Sequence, residues 1–251
     1  MTLPRLSPVL VLLATILGGG LANAKPSAAP CGADFLPLAE GTEWSYEFFV
    51  PESIEPAAGL HVIDPDKVHI RVLEVTKKGD SATIKLEESY RKVTTHTQIE
   101  CSKDGLRVPL ESFFFAGQPG GGLGMKLDGL TRKGDSFGLK KGKPLDGYQE
   151  FVTTAVRQPT EGSGAILDPA RLEVERKAVV LGKQATDSGL GDHTATRIDV
   201  RMTARAALDS QAGKPFNMPE VQTAMWFANG VGLVRVESSL GRGWKLTEKK
   251  P

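Results

Sequence analysis

The feature that most constrains this chain is an alternation of apolar and polar side chains that recurs from Trp44 to Val236. Trp44, Tyr46 and Phe48 alternate with Glu43, Ser45 and Glu47, and in an extended backbone that spacing puts the rings on one face. Lys67 to Thr76 repeats the pattern with Val68, Ile70 and Val72. The Lys78-Gly79-Asp80 turn then leads into Ala82, Ile84 and Leu86, so the two runs read as a hairpin. Val93, Thr95, Thr97, Ile99 and Cys101 share a face of the next run, which Lys103-Asp104-Gly105 ends. Short strands joined by local turns predict an all-β, antiparallel fold with little helix: a strongly curved meander or half-barrel.

The middle of the chain is less regular. Phe113, Phe114 and Phe115 precede a glycine-rich stretch from Gly117 to Gly124, and Arg132 to Lys143 is rich in lysine and glycine, which predicts long surface loops. Alternation returns at Tyr148–Arg157, Arg171–Gly182, Thr194–Ala206, Val221–Phe227 and Val231–Ser238, with a last short strand at Trp244–Thr247. Only Ala204 to Gln211 has a helical composition, and Gly213 and Pro215 would soon stop it.

The amino terminus reads as an export signal. Arg5 gives the positive start, Val9 to Leu17 an apolar run too short to span a bilayer, and Ala22-Asn23-Ala24 a small-residue cleavage pattern. Residues 1–24 are thus expected to be removed, leaving a Pro/Ala-rich arm at 25–30 and one β-rich domain at 31–248, periplasmic or secreted, with no transmembrane segment after cleavage. Losing Arg5 changes 31 basic and 30 acidic side chains to 30 of each, a neutral balance that argues against a nucleic-acid partner. Cys31 and Cys101 are the only cysteines, and in an exported chain they are expected to form one disulfide.

No catalytic or cofactor signature outweighs its structural alternative. His61, Asp64, Asp66 and His69 could ligate a metal, but Asp64-Pro65-Asp66 is also an ordinary turn into the following strand. Asp187, Asp192 and His193 lie in a glycine-rich stretch and read as a turn between strands. The glycines at 117–124 suggest a phosphate cradle, yet no Gly-Lys-Ser/Thr ending follows and Pro119 removes a donor. Ser89-Tyr90-Arg91-Lys92 matches a Ser-x-x-Lys spacing without either companion motif. The expectation is a non-enzymatic domain with no cofactor and no metal.

The aromatic side chains remain. The alternating ones are expected to fill the core. Phe113, Phe114 and Phe115 cannot all face one side of a strand, so at least one must meet a second layer, a loop or a ligand, and they are the candidates for lining an apolar pocket.

Two end motifs carry a resemblance. Pro37-Leu38-Ala39-Glu40-Gly41-Thr42-Glu43-Trp44-Ser45-Tyr46 fits a Pro-Leu-x-x-Gly-x-x-Trp-x-Tyr opening, and Gly230-Val231-Gly232-Leu233-Val234 a Gly-Val-Gly-Leu-Val closing segment. In these the chain resembles a family of uncharacterised exported bacterial β-rich proteins, and Arg171 to Asp199 is similar to the strand, Gly-turn, strand unit of that family, with Gly191-Asp192-His193-Thr194 in place of Pro-Ala-Gly-Thr. The resemblance implies an architecture similar to periplasmic lipoprotein-carrier-like half-barrels, in which a curved sheet wraps an apolar cavity. It transfers no catalytic residue. The expected role is to bind an apolar ligand or lipid; the alternatives are an envelope or secreted interaction module that docks an envelope protein and, behind both, a hydrolase.

Overall fold

A computed structural model describes residues 35–51, 67–91, 93–102, 105–118, 125–133, 147–157, 169–208 and 214–251. The described residues form β1 (Glu43–Phe49), β2 (Lys67–Lys78), β3 (Ser81–Tyr90), β4 (Val93–Ser102), β5 (Gly105–Arg107), α1 (Phe113–Ala116), β6 (Met125–Lys133) and β7 (Gly147–Arg157). They continue with β8 (Pro169–Ser188), β9 (Gly191–Leu208), β10 (Pro215–Asn217), β11 (Val221–Ala228), β12 (Gly232–Ser238) and β13 (Arg242–Lys250). All the strands pair antiparallel in one sheet ordered β5-β4-β3-β2-β1-β13-β12-β11-β9-β8-β7-β6, with β10 added beside β9.

Two meanders make this order. One runs outward from β1 to β5, the other from β6 to β13, and the pairing of β1 with β13 joins them. β5 and β6 therefore lie at opposite edges, and the sheet is not closed into a barrel. The chain between them must cross from one edge to the other, and it carries Val108, Leu110 and α1, all packed into the core. The sheet also bends: β8 touches β12 and β13, three and four places away in strand order, which a flat sheet forbids.

Period two gives the sheet its faces. On the core face stand Trp44 and Tyr46 of β1, Val68, Ile70 and Val72 of β2, Ile84 and Leu86 of β3, and Ile198 and Val200 of β9. The β2–β3 hairpin pairs Lys78 with Ser81 around the turn glycine Gly79 at φ 59°, as its sequence predicts. In β4 the expected face is buried at Thr97, Ile99 and Cys101, whereas Val93, beside the turn, is exposed.

Three expectations need correction. Ala204 to Leu208 is not helical but the end of β9, because pairing with β8 and β10 satisfies its backbone and overrides a weak local preference. The one described helix is α1. The stretch read as loop contains β6 at Met125–Lys133, bonded to β7. β13 is also longer than expected and runs to Lys250. Residues 1–34, including the signal, the arm and Cys31, lie outside the described residues, as do Gly120 to Gly124.

Candidate functional site

On the core face the helix α1 occupies the space where an apolar pocket was expected. Ser112 caps it by accepting the Phe114 N–H at 3.3 Å, and Gly117, left-handed at φ 65°, ends it with its N–H on the Phe113 carbonyl at 2.8 Å. One helical turn points side chains in all directions, so three consecutive rings can be buried only if protein surrounds them. It does: Phe113, Phe114 and Phe115 are each at most 1% exposed. Phe114 meets Trp44 edge-on at 5.6 Å between centroids, while Phe113 lies 4.8 Å from Tyr46 and 6.2 Å from Trp244. These rings are core.

Two buried ionisable side chains hold the ends of this turn. Glu88 of β3 accepts bonds from the Ser112 hydroxyl at 2.6 Å, the Phe113 N–H at 2.8 Å and the Thr97 hydroxyl at 3.1 Å. Burial pushes its carboxyl up to about 7; the three bonds pull it back and the nearby Glu111 adds to the rise. At the other end Arg176 of β8 donates from Nε to the Phe115 carbonyl at 2.9 Å and lies 4.8 Å over the Phe115 ring, with burial holding its pKa well below the ordinary arginine value. An acid at the N-terminal end and a base at the C-terminal end match the orphan N–H and C=O groups there. Both residues sit at core-facing positions of alternating strands, after Leu86 and Val174, so alternation alone marks each as a charge inside the core.

The two end motifs meet on the same face. Trp44 Nε1 donates to the Val231 carbonyl at 2.9 Å, and the Tyr46 hydroxyl to the Leu233 carbonyl at 3.0 Å, reaching across β13. Burial, and secondarily Glu88, raises the Tyr46 pKa well above the phenol norm, so it stays a donor. Gly232, at φ 106°, is needed at this junction: a Cβ there would lie 3.1 Å from Trp44 Nε1. The opening and closing motifs thus form one structural joint.

The opposite face carries a groove of about 740 Å³. It forms because the β8–β9 hairpin bends toward β12 and β13. The tip is fastened there by Gly189, whose N–H bonds the Leu246 carbonyl at 2.7 Å, and by Asp187, which accepts from Lys245 at 2.6 Å and from Arg235. The Lys245 bond, with the charge of Arg235, holds the Asp187 carboxyl below the usual aspartate range. Beside the clasp, Arg235 lies 4.9 Å over Phe49 and 5.9 Å over Trp226, and Arg197 lies 5.2 Å over Trp226.

Along the groove, Lys177, Val179 and Leu181 project from alternate positions of β8. Val179 and Leu181 are 46% and 50% exposed and lie two residues apart on the same face. The neighbouring strands add Arg197, Asp199 and Arg201 from β9, Ala224 from β11 and Glu237 from β12, and Pro51 and the polar Gln222, Thr223, Ser238 and Ser239 also line it. Arg197 binds Asp199 at 2.7 Å and Glu237 binds Arg235 at 2.6 Å. Lys177 has no ion-pair partner among the described residues.

The other candidates are dispersed. His69 on β2 meets the Ser45 hydroxyl at 3.0 Å, His96 on β4 faces Glu87 at 3.5 Å, and His193 on β9 meets the Ser188 hydroxyl at 2.8 Å. His61, Asp64 and Asp66 lie outside the described residues, and Asp187 turns away from His193 to the clasp. Among the described residues no group of three His, Cys, Asp or Glu is placed to hold a metal, and no helix is long and apolar enough to cross a membrane. Ser89, next to last in β3, meets the Thr94 hydroxyl at 3.0 Å, far from any groove residue in strand order. Sequence reading missed the groove residues Lys177, Val179, Leu181 and Arg201, which only the strand register brings together.

No protein-family model matches the chain. No curated protein matches it. Two solved structures share its fold. One is a protein from Parabacteroides distasonis predicted to be a lipoprotein, 13% identical, with a TM-score of 0.50 over 86% of this chain and 99% of that one. The other is a protein from Bacteroides fragilis predicted to be exported, with a YmcC-like fold, 12% identical, with a TM-score of 0.52 over 87% of this chain and 99% of that one. At such identities the likeness is one of fold, and the fold it shows is a large open antiparallel sheet spanning nearly the whole of both neighbours.

Proposed function

We propose that this chain is an exported, non-enzymatic binding module that holds an apolar or amphipathic ligand in the groove bounded by β8, β9, β11 and β12. One observation carries the reading: exposed Val179 and Leu181 sit side by side in a concavity whose volume falls within the range of small-molecule sites. Exposed aliphatic side chains in a concave wall cost hydration free energy that an apolar ligand recovers. The core face supports a structural role for its own polar groups, since Glu88, Ser112 and Arg176 are sealed from solvent and engaged with α1.

Export is supported by the signal pattern at 1–24, and an oxidising destination suits a Cys31–Cys101 bridge whose second member is buried in β4. Mass spectrometry of the protein purified from its native host, with and without organic extraction, tests the reading. The expected result is a chain starting at Lys25, with no alkylatable thiol and an extractable amphiphile at near-equal ratio. An intact amino terminus or two reactive thiols would refute export or the bridge; an empty extract, with no binding of added long-chain amphiphiles, would refute the ligand.

A further inference from the structure

Two cationic side chains stand together in one part of the groove. Lys177 and Arg201 are directly opposite each other in the β8–β9 register, on the face that lines the groove. Opposed residues of an antiparallel pair hold their Cβ atoms about 4.5–5.5 Å apart, and like charges so placed are destabilising. Arg201 pairs with Glu220 at 3.3 Å and Lys177 has no ion-pair partner among the described residues, so among those residues the repulsion is relieved on the Arg201 side alone. An anion seated between the two would remove it.

The rest of the wall limits what that anion can be. From Lys177 the exposed apolar positions Val179 and Leu181 follow along β8 toward the hairpin tip, about 13 Å for four residues of strand. Along β8 the groove therefore runs from a cationic position to two apolar ones, while the facing β9 wall carries Asp199 and Arg197, which are paired with each other. A charged head with a single chain thus finds its cations at Lys177 and Arg201 and its apolar contacts on the β8 side. Asp199 and Glu237 lie in the same wall and would repel a doubly charged phosphate more than a singly charged carboxylate. The forked donors of a guanidinium also match a planar carboxylate.

Resting on the reading of this groove as a binding site, we infer that its occupant is a long-chain carboxylate, with the carboxylate on Lys177 and Arg201 and the chain along Val179 and Leu181. Equilibrium binding of hexadecanoate and hexadecan-1-ol to the mature protein at pH 8 tests this. The inference predicts that the acid binds at least ~10-fold more tightly than the alcohol. It also predicts that the advantage shrinks with rising salt and disappears in the K177Q/R201Q double variant, while alcohol affinity is unchanged. Equal affinities, or an acid preference that survives in the double variant, would overturn this assignment and leave the groove as a site for apolar chains. If neither compound binds, the assignment and the ligand-binding reading both fall. K177Q alone supplies a readout without ligand: relief of the like-charge pair should hold or slightly raise the melting temperature, and a clear fall would contradict the opposed-charge argument.

Discussion

The two faces of the sheet use similar chemistry to different ends. On the core face, rings and charges are consumed: Phe113, Phe114 and Phe115 fill the concavity, and Glu88 and Arg176 bind the ends of the helical turn that carries them. On the other face, Arg235 and Arg197 also stack on aromatic rings, yet beyond them Lys177, Val179 and Leu181 are left facing an open groove. The difference comes from topology. The segment after β5 that carries α1 packs on the core face and supplies a plug, whereas the β8–β9 hairpin bends over the opposite face, where its tip is fastened. A concave sheet is thus a receptor only where its own chain has not filled it.

The contrast can be broken most severely by emptying the plug. Phe113→Ala removes a ring packed between Tyr46 and Trp244 and should cost about 3–5 kcal/mol in denaturant unfolding, because a buried cavity replaces it. A loss below 1 kcal/mol would mean that α1 is not integral to the core.

The joint between the end motifs comes next. Gly232→Ala places a Cβ against Trp44 at a backbone angle that suits glycine, and about 1–3 kcal/mol should be lost. Gly41→Ala shares the backbone strain, at φ 85°, but meets no neighbour, so it separates strain from crowding. Equal losses at the two positions would show that the Trp44 contact adds nothing.

Glu88 makes the core face sensitive to pH. Its folded pKa of about 7 lies above the ordinary glutamate value, so the folded state binds more protons than the unfolded one between about pH 4.5 and 7. Its contribution is fully present below that window and is lost as pH rises through it, with a slope of at most about 1.4 kcal/mol per pH unit. Unfolding free energy measured across this range for wild type and Glu88→Gln should converge at the acid end and diverge toward pH 7. Parallel curves would show that Glu88 titrates normally.

The smallest effect belongs to the clasp. Asp187 is half exposed, and Asp187→Asn should cost less than about 1 kcal/mol globally. Amide exchange at the Ser188–Gly191 tip should nevertheless quicken, since the tip loses the charge that binds it to Lys245 and Arg235. Unchanged exchange at the tip would assign the bend of the hairpin to the sheet rather than to Asp187.

Much of the sheet is legible in the residues. Trp44, Tyr46 and the Val68–Val72 face follow from period two, and Gly79 fixes the β2–β3 turn, because alternation and turn chemistry are local signals. α1 is not legible: four residues are too few to show a helical period, and three phenylalanines in a row fit no strand. β6 is hidden by glycine and lysine, residues that disfavour strands, and the pairing that stabilises it comes from β7. The groove is illegible for another reason. Whether Lys177 faces Arg201 depends on register, and the irregularity between Val180 and Gly182 shifts that register by a residue the sequence does not announce.

The most direct test asks which face takes the ligand. Hydrogen–deuterium exchange of the mature protein should be compared with and without saturating hexadecanoate. The account predicts slowed exchange in 177–181, 197–201 and 222–224, with residues 112–118 unchanged. Slowing confined to 112–118 and the strands beneath it would place the ligand against α1 and contradict the division between a filled face and an open one.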